Sequence, residues 1–219
     1  MNTLILGIRV LLFALSVFGW LTLLHKKADI AVEFLPAAVF CGQICVLFLG
    51  GILNLLPLSV AVLFFGGLFL AALSLKDRRM YRDFLCPGYV FFAAAGLYFL
   101  LMMKGQVFNT YDNFSHWALI VKQMLMTDRF PTFQDPIILF QAYPVGSSAF
   151  VYYVSKIIST VSEGCQMFAQ TLLTLSMTLP LFSCVRRKKA EGTLLILGAS
   201  LFFLSSNTVP SELLVGALL

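Results

Sequence analysis

Of 219 residues, 60% are hydrophobic and 11% charged, with a mean hydropathy of +0.93. A water-soluble domain carries roughly a quarter charged residues, so this chain lacks the polar surface to fold in water. It reads as all-α, a polytopic bundle of transmembrane helices in a single domain over 1–219. The net charge of +5 does not point to nucleic acid, because no soluble basic face interleaved with aromatics exists to carry it.

Crossing the hydrocarbon core takes about 20 mostly apolar residues at a rise of about 1.5 Å each. Six stretches meet that length: 3–24, 30–50, 53–75, 84–103, 165–185 and 193–209. The first has Arg9 near its start and ends at His25-Lys26-Lys27, without the short apolar run and small-residue cleavage site of a signal peptide. It is expected to remain as an anchor. Gly50-Gly51, Pro57 and Gly66-Gly67 read either as helix breaks or as positions of close packing. Cys41, Cys45, Cys86, Cys165 and Cys184 fall inside or at the rim of apolar segments, in no metal-ligand spacing. They read as small hydrophobes.

Ten of the 15 basic residues lie in three clusters: Lys26-Lys27; Lys76, Arg78, Arg79 and Arg82; and Arg186 to Lys189. Such clusters stay on the cytoplasmic side of short loops. With the first two inside, the uncharged hairpin at Gly50-Gly51 and the loop 104–146 lie outside. The third returns inside only if 147–162 does not cross. Its apolar run, Ser147 to Ile158, holds about 12 residues and includes Lys156, which is too short for a span. A short re-entrant helix in the outer leaflet is therefore expected. The chain stops at Leu213 to Leu219, part-way into a further apolar segment, so it reads as the N-terminal portion of a longer protein.

The loop 104–146 holds most of the polar chemistry, and a connection of that length is usually functional. At about 100° per residue, Phe114, Trp117, Ile120, Val121, Met124 and Leu125 share one arc, opposite Ser115, His116, Lys122 and Gln123. That predicts an amphipathic helix in the outer interface, with Trp117 at headgroup depth. Asp112 either shares the polar face with His116 or, like Asn113, caps the helix. Spaced i and i+4 above the membrane, Asp112 and His116 could deprotonate an acceptor hydroxyl or hold a divalent cation. His116, Lys122 and Arg129 are candidates for a phosphate group. The plainer alternatives are a backbone or headgroup hydrogen bond for His116 and interfacial snorkelling for the two cations.

Tyr111-Asp112-Asn113-Phe114-Ser115-His116-Trp117, a helix ending Asp128-Arg129-Phe130-Pro131, and Tyr143-Pro144-Val145-Gly146 opening a tyrosine-bearing helix form a recognisable series. Together they resemble the first extracytoplasmic loop of GT-C-type glycosyltransferases, most of all bacterial relatives of the protein mannosyltransferase and aminoarabinose transferase group. The resemblance implies a cell-envelope enzyme of the plasma membrane that moves a sugar from a polyprenyl-phosphate carrier to an acceptor on the extracytoplasmic face. The essential acidic residue of that loop maps to Asp112, as base or ligand of a divalent cation. The Tyr-Pro element maps to Tyr143-Pro144, with Val145 where the family has a second proline. The acidic residue opening a later helix maps to Glu212 behind Pro210. Trp117 and Tyr143 would shape the sugar and lipid site. The family usually has one helix before this loop; here four precede it. The partners implied are membrane lipid and the polyprenyl-phosphate-linked sugar, and the absence of a Gly-rich phosphate loop agrees with a lipid-borne donor. Two other classes stay open. One is a transporter or flippase of lipid-linked glycans, although Glu33 is nearly alone as an ionisable residue in the spans. The other is a non-catalytic scaffold subunit.

Overall fold

A computed structural model describes residues 3–75, 80–109, 113, 117–135, 145–183, 192–194, 196–198 and 200. Among these every regular element is helical: α1 (Thr3–Lys27), a 3-10 turn (Val32–Phe34), α2 (Leu35–Ile52), α3 (Leu56–Ser74), α4 (Met80–Asp83), α5 (Pro87–Met102), α6 (Trp117–Thr127), α7 (Gly146–Ile158), α8 (Glu163–Thr178) and α9 (Pro180–Ser183).

Prolines mark three of the starts. Pro36, Pro57 and Pro87 stand in the first turns of α2, α3 and α5, where a missing amide hydrogen costs no helical bond. The α2–α3 hairpin turns at Asn54, whose φ of 56° is a left-handed conformation that asparagine tolerates. Three helices are long and apolar enough to cross a membrane: Leu4–Lys27, Val32–Ile52 and Leu56–Ser74. Their outer faces expose Leu4, Leu11, Leu49, Phe65 and Phe69, as lipid contact requires. The 16 residues of α5 are equally apolar but span only about 24 Å.

Contacts sort the elements between two ends. At the basic end, His25 at the foot of α1 lies 3.0 Å from Asp83 of α4, and the Tyr89 hydroxyl of α5 donates to the Val32 carbonyl at 3.0 Å. Phe182 of α9 packs there on Phe91 at 5.2 Å. At the opposite end, beside the α2–α3 hairpin, Phe130 lies over Gly51 and the Met103 carbonyl abuts Gly164. The pair α8–α9 therefore runs from the hairpin end to the basic end, jointed at Pro180, and corresponds to the expected segment 165–185. The predicted segment 193–209 is helical where described, at 192–194, 196–198 and 200.

Small residues seat α1 on α3. A Cβ at Gly67 would collide with the Ser16 carbonyl, and one at Gly19 with that of Gly67. The Ser16 hydroxyl donates to the Phe64 carbonyl at 2.9 Å and the Trp20 indole to that of Leu63 at 2.8 Å. Both glycine pairs lie within unbroken helices, so they are packing positions. Gly67→Leu is expected to destabilise the bundle by about 1–3 kcal/mol through overpacking. Gly42→Leu, where nothing lies within 4 Å, should leave it unchanged. Thermal unfolding of both variants in detergent tests this; equal midpoints would refute the seam.

Two expectations change in three dimensions. The segment 147–162 holds a helix of 13 residues, α7, about 20 Å long, too short to cross as expected. Its side chains meet protein on nearly every side, however. Ala149, Phe150, Tyr152, Tyr153, Val154 and Ser155 are 0% exposed, and α7 is the hub of the bundle. Its rings meet Phe13 of α1 (5.8 Å to Tyr153) and Phe40 of α2 (4.9 Å to Phe150). Likewise α6 is amphipathic, but Ile120, Val121 and Met124 are buried against α7. The apolar arc faces protein, where the sequence placed it in the membrane interface. The reason is the same for both: a short apolar surface is buried equally well by a neighbouring helix as by lipid.

The wall of α8 contains Gln166, Gln170, Thr171, Thr174, Ser176 and Thr178, all buried. The hydroxyls donate back to carbonyls three or four residues earlier, such as Thr171 to Met167 at 2.9 Å and Ser176 to Leu173 at 2.6 Å. That removes the penalty of unpaired hydroxyls in an apolar bundle, whereas the buried Gln166 Oε1 has no hydrogen-bond partner among the described residues.

Candidate functional site

The described residues of the long loop, 104–109, 113, 117–135 and 145, form a cap at the hairpin end that three ion pairs hold. Glu163 opens α8, where an acidic side chain is favoured by the helix dipole, and Ser162 caps the helix by accepting from the Cys165 amide. The Glu163 carboxylate accepts from the Phe108 amide at 2.7 Å and from Lys122 Nζ at 2.6 Å. The same ammonium sits 5.8 Å over the Phe108 ring. Burial pushes this carboxyl up, but the bond from Lys122 and then that from Phe108 outweigh it and hold it below the usual range.

Asp135 anchors the turn after α6. It accepts two bonds from the Arg129 guanidinium (2.8 and 2.9 Å), one from Gln123 (2.9 Å), and two from Thr132, amide (2.7 Å) and hydroxyl (3.1 Å). The Arg129 bond, followed by the Thr132 amide, holds its carboxyl far below the ordinary value. Asp128, in the left-handed region at φ 54°, ends α6 with its amide bonded to the Met124 carbonyl. Its carboxylate takes the Tyr152 hydroxyl at 2.8 Å and Lys156 at 2.5 Å. Burial opposes ionisation there, and the Lys156 and Tyr152 bonds overcome it.

Trp117 is the first residue of α6 and partly buried, with Asn113 just before it 3% exposed. Lys122 and Arg129 stand at the same end, each bonded to a carboxylate yet still accessible, with side chains 42% and 37% exposed. Asp112, His116, Tyr143, Pro144 and Glu212 lie outside the described residues. The roles of Glu163, Asp135 and Lys156 do not follow from the sequence alone. Lys156 inside an apolar run is the available signal, since a cation there needs a partner. Among the described residues no group of three or more His, Cys, Asp or Glu side chains is placed to hold a metal ion.

Comparison with protein families, with curated proteins and with solved structures found no match.

Proposed function

We propose that this protein is a membrane glycosyltransferase that moves a sugar from a polyprenyl-phosphate carrier to an acceptor on the extracytoplasmic face. The observation that carries the reading is the double grip of Glu163. One carboxylate bonds Phe108 on one side of the Asp112–His116 segment and Lys122 on the other. A base must be held in register to act, and fixing both flanks of its segment serves that need.

In this reading Asp112 takes the proton of the acceptor hydroxyl as that oxygen attacks the anomeric carbon, opposite the bond to phosphate. That bond breaks, polyprenyl phosphate leaves with the electron pair, and the configuration inverts. The accessible flanks of Lys122 and Arg129 face the carrier phosphate, His116 and Glu212 assist proton transfer, and Trp117, Tyr143 and Pro144 border the sugar. A divalent cation, if used, would be held by Asp112.

The topology that goes with it has six spans, the basic clusters inside and the hairpin end outside, with α7 re-entrant. Supporting this, the chain before α7 (Asp128) and after it (Glu163) lies at the hairpin end. Single cysteines at Ser74, Gly105 and Ala190, in a chain without its native thiols, are expected to label from inside, outside and inside. External labelling at 190 would overturn the re-entrant assignment.

The function is tested by a surface-glycan profile of a deletion strain complemented with wild type or Asp112→Asn. A sugar modification restored by wild type alone, with the variant present in the membrane, supports the assignment. Restoration by both sinks it. A flippase for lipid-linked glycans is the second reading, favoured by the buried Gln43 amide, whose oxygen and nitrogen both lack hydrogen-bond partners among the described residues. It predicts that Gln43→Leu abolishes the phenotype while Asp112→Asn keeps it.

A further inference from the structure

Phe133 is 88% exposed at the tip of the turn between α6 and α7, although that turn is among the most heavily bonded parts of the chain. Five hydrogen bonds converge on Asp135, and the Asp135 amide bonds back to the Thr132 carbonyl at 3.0 Å. Pro131 stiffens the approach further. A turn so constrained fixes the backbone from which the exposed ring projects.

The position of the turn identifies what meets the ring. The neighbouring Phe130 lies over Gly51 and its ring is 6.0 Å from that of Phe48 on α2. Phe48 belongs to the exposed apolar face of a membrane-crossing helix, continued by Leu49, Ile52 and Leu53 at 59%, 58% and 65% exposure. The turn thus stands, through Phe130, beside the lipid-facing flank of α2 at its hairpin end, and the exposed Phe133 lies three residues further along the same turn. Arg129 at its base is a side chain suited to headgroup phosphates, with an apolar stem and a charged tip. A phenylalanine at this depth inserts as the apolar residues of interfacial segments do, into the boundary between headgroups and acyl chains.

We propose that the turn from Arg129 to Asp135 is an interfacial anchor that seats Phe133 in the lipid at the hairpin end. It fixes the height of the cap over the bilayer. The role is independent of the sugar-transfer reading: it depends on the turn and on α2 alone.

The test uses Phe133→Trp in a chain carrying Trp20→Phe and Trp117→Phe, reconstituted in phosphatidylcholine nanodiscs with and without acyl-chain bromine. Blue-shifted emission, strong quenching by brominated lipid and weak quenching by aqueous acrylamide are expected. Emission typical of tryptophan in water, quenched by acrylamide and indifferent to bromine, would overturn the proposal and leave the ring free for a protein partner. Adding Asp135→Ala should reduce the bromine quenching, and an unchanged value would refute the clamp. Because Trp20 bonds to α3, a second measurement keeps both native tryptophans. A spin label at Phe133→Cys, with the five native cysteines replaced, should be relaxed more by oxygen than by a water-soluble nickel chelate. The reverse order would also overturn the anchor.

Discussion

Phe150→Ala is expected to lower the stability of the bundle by about 3 kcal/mol, near the lower end for truncating a buried aromatic ring. The ring is 0% exposed and lies 4.9 Å from Phe40 and 6.4 Å from Tyr153. In water much of the loss would come from transfer of apolar surface, but lipid is as apolar as the core, and that contribution is weak here. What remains is the cavity and the dispersion contacts that no neighbour replaces. The gap opens in α7, which packs on α1, α2, α6 and α8, on the side that meets Phe40 of α2. Phe69→Ala, removing a ring 65% exposed on α3, should change stability little. Thermal unfolding of the two variants in the same detergent decides the matter. Equal shifts would mean that α7 is not the hub.

Glu163→Leu is expected to free the segment between Phe108 and α6. Its main cost is the orphaned Phe108 amide, about 1–2 kcal/mol. The ion pair adds little, since the Lys122 side chain is 42% exposed and screened by water. Hydrogen exchange reads the effect directly: protection of the Phe108 amide should disappear, while protection within α3 stays. Glu163→Gln retains an acceptor and should keep part of it. The pH dependence has a definite sign. The folded carboxyl is held below its ordinary value, so its contribution is complete above about pH 4.3 and is lost as pH falls through the folded value. After correction for intrinsic exchange, protection at Phe108 should therefore fall on acidification in wild type and stay flat in Glu163→Gln. Protection unaffected by either substitution would show that Glu163 does not hold the loop.

The sugar-transfer reading and the cap geometry meet at Glu163. Glu163 positions a segment whose proposed base is Asp112, so Glu163→Leu should weaken surface glycosylation as well as loop order. Loss of order with full glycosylation would separate the cap from the chemistry.

Hydropathy and proline placement make the apolar helices legible from the amino-acid order alone, because the need for apolar length and the cost of a missing amide are local properties. The starts of α2, α3 and α5 coincide with Pro36, Pro57 and Pro87. The shortness of the 147–158 helix is legible for the same reason. Periodicity likewise shows that one face of α6 must be buried, but not against what. A period describes a surface, and lipid or a neighbouring helix satisfies it alike. Only the tertiary structure decided that α7 is enclosed and that α6 packs on it. The bonds of Lys122 to Glu163 and of Asp128 to Tyr152, 41 and 24 residues apart in sequence, belong to the same class. No local pattern marks them, since a charged side chain finds its partner only once distant helices have brought the two together.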